Sequence, residues 1–196
     1  YVAILTIFSA VMCMRLDAAI PLPEEDDEAD LLLALSLFCI VVFVGLTTLI
    51  IFFWGPLVAT LIGRPAIGEY LWLLPLGLGL MGTYSAFQYL AIRQKAFSLI
   101  AKTKVNQAAL GLGAQIGLGW FGVAPLGLLL GHVVLSGAGV FTLALNTLRS
   151  RGLVGSLLNT TWSRISATLI AFRRFPQFSV ADQLTNNAGM QLPILI

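Results

Sequence analysis

YVAILTIFSAVMCMRLDAAIPLP, residues 1–23, is an apolar run of membrane length with Arg15 and Asp17 near its end, and it passes directly into the acidic block EEDDEAD, residues 24–30. An ionised side chain inside a span is expensive, so where one occurs it marks a pathway, a partner helix or the membrane surface. The stretch therefore predicts a transmembrane helix that meets a charged interface. The acidic block falls just before the next apolar run, where the positive end of a helix dipole favours negative charge.

The rest of the chain repeats the apolar pattern. Hydrophobic residues make up 58% of the 196 and charged ones 10%, with a mean hydropathy of +0.93. A soluble domain carries roughly 25% charged residues, so the composition predicts a membrane protein whose first partner is the lipid bilayer. A net charge of +2 gives no electrostatic case for nucleic acid. About 20 mainly apolar residues make a transmembrane helix. Five stretches qualify, at 1–22, Leu31–Gly55, Tyr70–Ile92, 105–121 and 123–147, and a sixth begins near Phe178 and stops at Ile196. No period-two alternation of barrel type is sustained, so the spans read as helices. The expected fold class is all-α, a polytopic transmembrane helical bundle. The chain starts at Tyr1 and stops within the apolar run QLPILI, which reads as a piece of a longer polytopic protein.

Charge placement orients the spans. Arg93, Lys95, Lys102, Lys104, Arg149, Arg151, Arg164, Arg173 and Arg174 fall in one set of loops, Arg15 lies at its edge, and only Arg64 lies opposite. Basic loops stay cytoplasmic, which places these loops and the 24–30 block on that side. Between 152 and 172 the residues Val154, Leu157, Leu158, Trp162, Ile165, Leu169 and Phe172 follow helical spacing, with Asn159, Ser163, Arg164 and Ser166 between them. That pattern fits an amphipathic helix in the cytoplasmic interface. It equally fits a loop helix packed on protein. The domain layout expected is residues 1–148 as part of one bundle with about five helices, 149–177 as a cytoplasmic amphipathic linker, and 178–196 as the start of a second bundle.

Catalytic signals are weak. His132 stands alone in a glycine-rich span and reads as a packing histidine rather than a proton-coupling one. The run GLGAQIG at Gly111 does not follow a strand, so it is no dinucleotide loop. Cys13 and Cys39 have no metal-ligand spacing and read as packing residues. No metal or cofactor is expected. Gly113 with Gly117, and Gly127 with Gly131, have the four-residue spacing that lets helices approach closely.

The polar residues within the spans are the candidate substrate-cavity residues. Arg15 and Asp17 are two apart, so on one helix they point to different sides and do not simply neutralise each other. Arg15 either snorkels to the cytoplasmic surface or faces an aqueous cavity and meets an anionic group. Tyr84 and Gln88 share a face of the third span, and Gln107 and Gln115 share one on the fourth. Gln183, Asn187 and Gln191 recur every four residues in the last span, beside Asn186. Such a stripe either joins helices by hydrogen bonds or lines a cavity. The number of amides favours the cavity.

RLDAAIPLPEEDDEAD, residues 15–30, resembles the R-Y-E-x-A-I-x-L-P-x-x-D-x-E-A pattern of bacterial lipopolysaccharide and polysaccharide biosynthesis membrane proteins. YSAFQYLAIRQKAFSLIAKTKVNQA, GVAPLGLLLGHVV and RRFPQFSVADQLTNNAGMQLPILI extend the resemblance over nearly the whole chain, the last being similar to R-F-P-x-x-S-x-x-x-x-L-N-x-x-x-x-x-L-P. These are the O-antigen flippase-like members of the multidrug/oligosaccharidyl-lipid/polysaccharide exporter superfamily. The family's tyrosine–glutamate pair is Leu16–Asp17 here, so the acid is one carbon shorter. The resemblance implies a MATE-like fold of two six-helix bundles around a central cavity, with this chain covering the second helix to the start of the seventh. It implies a flippase, not an enzyme, in the bacterial inner membrane, with undecaprenyl-diphosphate-linked oligosaccharide as cargo for lipopolysaccharide, capsule or exopolysaccharide. Glycan polymerase or export partners are left unspecified. Two alternatives stay open: a cation-coupled small-molecule exporter of the same superfamily, and a membrane glycan polymerase or transferase. The second would need catalytic acids or arginines in a large outer loop, whereas the loops at 56–69 and 121–124 hold only Arg64 and Glu69.

Overall fold

The acidic block does open a helix. Asp26, Asp27 and Glu28 fill the first turn of α3, Asp26–Leu61, where they meet the positive end of its dipole. At about 1.5 Å per residue its 36 residues run about 54 Å, well beyond a hydrocarbon core of about 30 Å. The helix kinks at Trp54, with φ −124° and ψ 17°, two residues ahead of Pro56. Pro56 has no N–H to give to the carbonyl one turn back, and its ring crowds that turn. Phe38, Val41, Leu46, Phe52, Phe53 and Leu57 point outward along α3. In water such a face would be an aggregation surface, whereas in a bilayer it is lipid contact.

The computed structural model describes residues 2–61, 65–122, 126–150, 168, 170, 172 and 179–195. Among them the chain is helical, without strands. Before α3 come α1, Val2–Met12, and the one-turn α2, Leu16–Ala19. After it come a 3-10 turn at Pro65–Tyr70, then α4 (Leu73–Arg93), α5 (Phe97–Trp120), α6 (Leu126–Gly137), α7 (Val140–Ser150) and α8 (Val180–Leu195). α4 is the hub and packs against α1, α2, α3, α5, α6 and α7, while α8 lies along α1. Leu5, Met12, Ile20, Leu32, Leu78, Leu90 and Leu143 are buried completely or nearly so within one core.

The all-α expectation holds, and the span boundaries need correction. Among the described residues two helices are long and apolar enough to cross a membrane, Asp26–Thr60 at mean hydropathy 2.8 and Leu126–Thr147 at 2.0. The second is α6 and α7 taken together across a turn at 138–139. α4 and α5 have the length, 21 and 24 residues, but their polar side chains keep them below that hydropathy. The expected first span is not one helix, because α1 stops at Met12. α5 starts at Phe97, so Lys102 and Lys104 lie on a helix rather than in a loop. The linker expected at 149–177 lies almost wholly outside the described residues, as do Arg64, Arg151, Arg164, Arg173 and Arg174 and the side chain of Arg149.

Close helix contact falls on two of the four glycines the spacing suggested. A Cβ at Gly127 would meet Leu118 Cβ at 2.7 Å, and one at Gly131 would meet Gln115 Cγ at 2.2 Å. Those two do let α6 press onto α5. Gly113 and Gly117 have nothing within 4 Å, and their place is taken by Gly111, against Leu135.

The α3–α4 junction is clamped from the end of α4. Arg93 donates to the carbonyls of Pro23 and Glu24, the latter at 3.1 Å, and pairs with Asp26 at 3.0 Å. α4 then ends in a Schellman turn: Lys95 N–H donates to Ile92 and Ala96 N–H to Ala91, both at 2.9 Å, with Lys95 left-handed at φ 55°.

Candidate functional site

The break after α1 builds the site. Met14 and Arg15 both take left-handed backbone, at φ 49° and 59°. That conformation costs a non-glycine residue roughly 1–2 kcal/mol, so the surrounding packing must hold it. Met14 N–H closes on Val11 at 2.8 Å and Leu16 N–H on Cys13 at 3.0 Å. The end of α1 is seated by Met12, which covers Gly82 of α4 so closely that a Cβ there would lie 2.1 Å from Met12 Cε.

Arg15 and Asp17 therefore do not sit on one continuous helix, and the expectation that they point apart fails. Both line one cavity of about 90 Å³, together with Ser9, Met12, Cys13, Met81, Ser85 and Gln183. Asp17 is only 4% exposed. Ser85 Oγ donates to its Oδ2 at 2.7 Å, while its Oδ1 is buried without a partner. Arg15 Nε is likewise buried without one. Among the described residues no direct ion pair joins the two. Arg15 and Asp17 thus bring opposite charges to one cavity, and each keeps one polar atom buried without a partner.

Gln183 reaches the cavity from α8. Its Nε2 lies 3.5 Å from Asn187 Oδ1, and Asn187 Nδ2 donates to the Thr6 carbonyl of α1 at 3.0 Å. Gln183 thus lies on the cavity, and Asn187 fastens α8 to α1. Asn186 is exposed, and the side chain of Gln191 lies outside the described residues.

Tyr84 and Gln107 meet in a second polar group, one residue along α4 from Ser85. Tyr84 Oη and Thr103 Oγ1 are 3.2 Å apart, and Gln107 Nε2 donates to the Ser136 carbonyl at 3.3 Å. Lys104 Nζ stands 4.4 Å from the Tyr84 ring centroid. Gly139, in the α6–α7 turn, closes this group: a Cβ there would lie 2.6 Å from Tyr84 Cε2 and 3.1 Å from Gln107 Nε2. Gln88 is half-buried and does not line the cavity. Gln115 lies beneath Gly131, within the α5–α6 contact. His132 is half-buried on α6, where its carbonyl accepts from Ser136 Oγ at 2.9 Å.

The sequence reading missed the hydroxyls Ser9, Ser85, Thr103 and Ser136. Ser85 carried a signal, since it lies beside Tyr84 and three residues before Gln88, on a helix stripe already polar. Arg93 was read as a loop charge, and its role as a clamp had no local signature.

A model of the family described as polysaccharide biosynthesis protein matches residues 1–177. The chain belongs to the polysaccharide biosynthesis protein family. Comparison with curated proteins and with solved structures gave no match. The match covers α1 to α7, so it includes Arg15, Asp17, Ser85, Tyr84 and Gln107 and stops before Gln183. Membership places this polysaccharide biosynthesis protein in glycan synthesis or export, and its apolar helices place that work at a membrane.

Proposed function

We propose that this polysaccharide biosynthesis protein is a flippase that carries lipid-linked oligosaccharide across the bacterial inner membrane as a multi-pass protein. The observation that carries the reading is the cavity at the α1–α2 break, where Arg15, Asp17, Ser85 and Gln183 converge from three parts of the bundle. Buried ionised groups inside a membrane bundle are costly and collect on transport paths. A helix interrupted beside such groups is the usual way a transporter exposes polar backbone and side chains at mid-membrane.

The physical task fits these parts. A diphosphate-linked glycan cannot cross hydrocarbon unaided, because each lost hydration bond must be replaced. Charged, hydroxyl and amide groups on facing helices supply replacements, while the lipid tail stays in the bilayer. About 90 Å³ holds only a few waters, so passage of a glycan through this cavity requires the helices around it to part. In the flippase reading α8 opens a second bundle, and its amide contacts with α1 lie on the joint between the two. Rocking of one bundle against the other then changes access.

Complementation tests the proposal. The full-length protein should restore surface glycan to a flippase-deficient cell of matching glycan type, and Arg15→Gln should abolish display at equal membrane expression. Wild-type display by Arg15→Gln would make Arg15 an interfacial anchor and remove this cavity from the path.

A further inference from the structure

Three tryptophans gather at one end of the bundle. Trp54 lies near the end of α3, Trp72 just before α4 and Trp120 at the end of α5. Each is more than half exposed, Trp120 by 88%. Among the described residues none of their indole N–H groups has a hydrogen-bond partner. Phe52, Phe53 and Phe121 stand exposed beside them. The helix contacts set their levels. Gly79 of α4 faces Val44 of α3 and Gly82 faces Ile40, so Trp72 stands level with about residue 50, and Trp54 lies about one turn beyond. Tyr84 of α4 meets Thr103 of α5, which puts Trp120 about five residues beyond Trp72. The three indoles therefore fall within roughly 7 Å along the bundle, about the depth of one headgroup layer.

The charged end lies one hydrocarbon thickness away. The 21 residues of α4 carry the chain from Trp72 to Arg93, about 31 Å, against a hydrocarbon core of about 30 Å. Arg93 and Lys95 mark that end, with the exposed acids of the 24–28 block beside them. Lys102 begins about 8 Å inside it, within reach of a snorkelling side chain, and Lys104 rests on the Tyr84 ring.

An indole at mid-membrane would leave its N–H unsatisfied in hydrocarbon, and one in bulk water would leave its apolar faces wet. The boundary between headgroups and acyl chains suits both parts of the ring. Cover by another protein segment would explain one exposed indole. It does not explain three on three helices, at one level and one hydrocarbon thickness from the charges.

We infer that Trp54, Trp72 and Trp120 form an anchoring girdle for phospholipid, seated at the headgroup boundary of the leaflet opposite the basic end. The girdle rests on the multi-pass part of the proposed reading and on no property of the cargo. It fixes the depth of the bundle, and with it the depth of the Arg15–Asp17 cavity. Along α4, Ser85 of that cavity lies about 20 Å from Trp72 and about 12 Å from Arg93. Arg15 and Asp17 thus stand in the half of the membrane nearer the basic end.

Quenching of tryptophan fluorescence by brominated lipid tests the girdle, with the full-length protein in phosphatidylcholine liposomes. The bromines sit either near the headgroup or near the chain end. Each native tryptophan is read as the signal lost on Trp54→Phe, Trp72→Phe or Trp120→Phe, or on the matching tyrosine variant where the first does not fold. Val41→Trp adds a reference, because Val41 faces outward on α3 about 14 Å from the level of Trp72, near mid-membrane. Shallow bromines should quench each native signal at least about twofold more than deep ones, and Val41→Trp should show the reverse. Three results would overturn the girdle and leave the multi-pass reading standing. They are a native signal quenched more by deep bromines, a native signal left unquenched while Val41→Trp is quenched, and a Val41→Trp signal quenched more by shallow bromines. No quenching of Val41→Trp by either lipid would overturn the multi-pass reading and the girdle with it.

Discussion

Gly111→Ala and Gly113→Ala are the same chemical change two residues apart on α5, and the packing predicts different outcomes. At 111 the new Cβ would sit 2.6 Å from Leu135 Cβ and 2.9 Å from Leu135 Cα. Apolar carbons meet at about 3.5–4.0 Å. Leu135 Cα is backbone and cannot rotate away, so α5 and α6 must separate by about 1 Å. Overpacking of that kind costs roughly 1–3 kcal/mol. At 113 the Cβ meets nothing within 4 Å. Both variants gain the same intrinsic helix propensity, about 1 kcal/mol for glycine to alanine, and that term cancels in the comparison. Gly111→Ala should therefore lie about 1–3 kcal/mol below Gly113→Ala. For a chain of this length that is on the order of 5 °C in thermal midpoint. Thermal unfolding of the two full-length variants in one detergent, followed by monodispersity on size exclusion, reads the difference. Equal midpoints, or Gly111→Ala the more stable, would refute the assigned α5–α6 contact.

Lys95→Gly should raise the midpoint by about 2–4 °C, because glycine takes the left-handed C′ position without the roughly 1 kcal/mol that lysine gives up there, read by the same melt. Arg93→Ala should destabilise by roughly 1–3 kcal/mol and Asp26→Asn by under about 1, since Arg93 also holds the Pro23 and Glu24 carbonyls and Asp26 is largely exposed; equal losses would put the clamp in the ion pair alone. A reporter fused after Lys95, in the turn between α4 and α5, should read cytoplasmic, following the basic residues there, and an outer-side signal would reverse the topology.

Hydropathy made the helical class legible, and the acidic block marked the start of α3 to within a few residues. Arg15, Asp17 and Gln183 were legible one by one as polar residues out of place in apolar runs, but not as neighbours. The geometry that joins Arg15 to Asp17 was not. Cys13-Met14-Arg15 contains neither glycine nor proline, so the turn that breaks the helix leaves no local trace, and it follows directly on the packing of Met12 against Gly82. The break at 138–139 did have a trace, Gly139, hidden by the apolar residues on both sides. The start of α5 was misplaced because charge was taken to end a helix, whereas Lys102 and Lys104 are good helix formers. Glycine spacing identified a close-packed face but not its phase, which is why Gly111 was overlooked and Gly113 and Gly117 were chosen.

Translocation in vesicles tests the central claim most directly. The full-length protein is reconstituted into liposomes carrying a short-chain polyprenyl-diphosphate-linked oligosaccharide, and the glycan exposed outside is followed with an impermeant lectin. The flippase account predicts protein-dependent exchange of glycan between leaflets, at least tenfold faster than in protein-free liposomes and lost in Arg15→Gln. Exchange no faster than in protein-free liposomes, with the protein folded and correctly inserted, would contradict it.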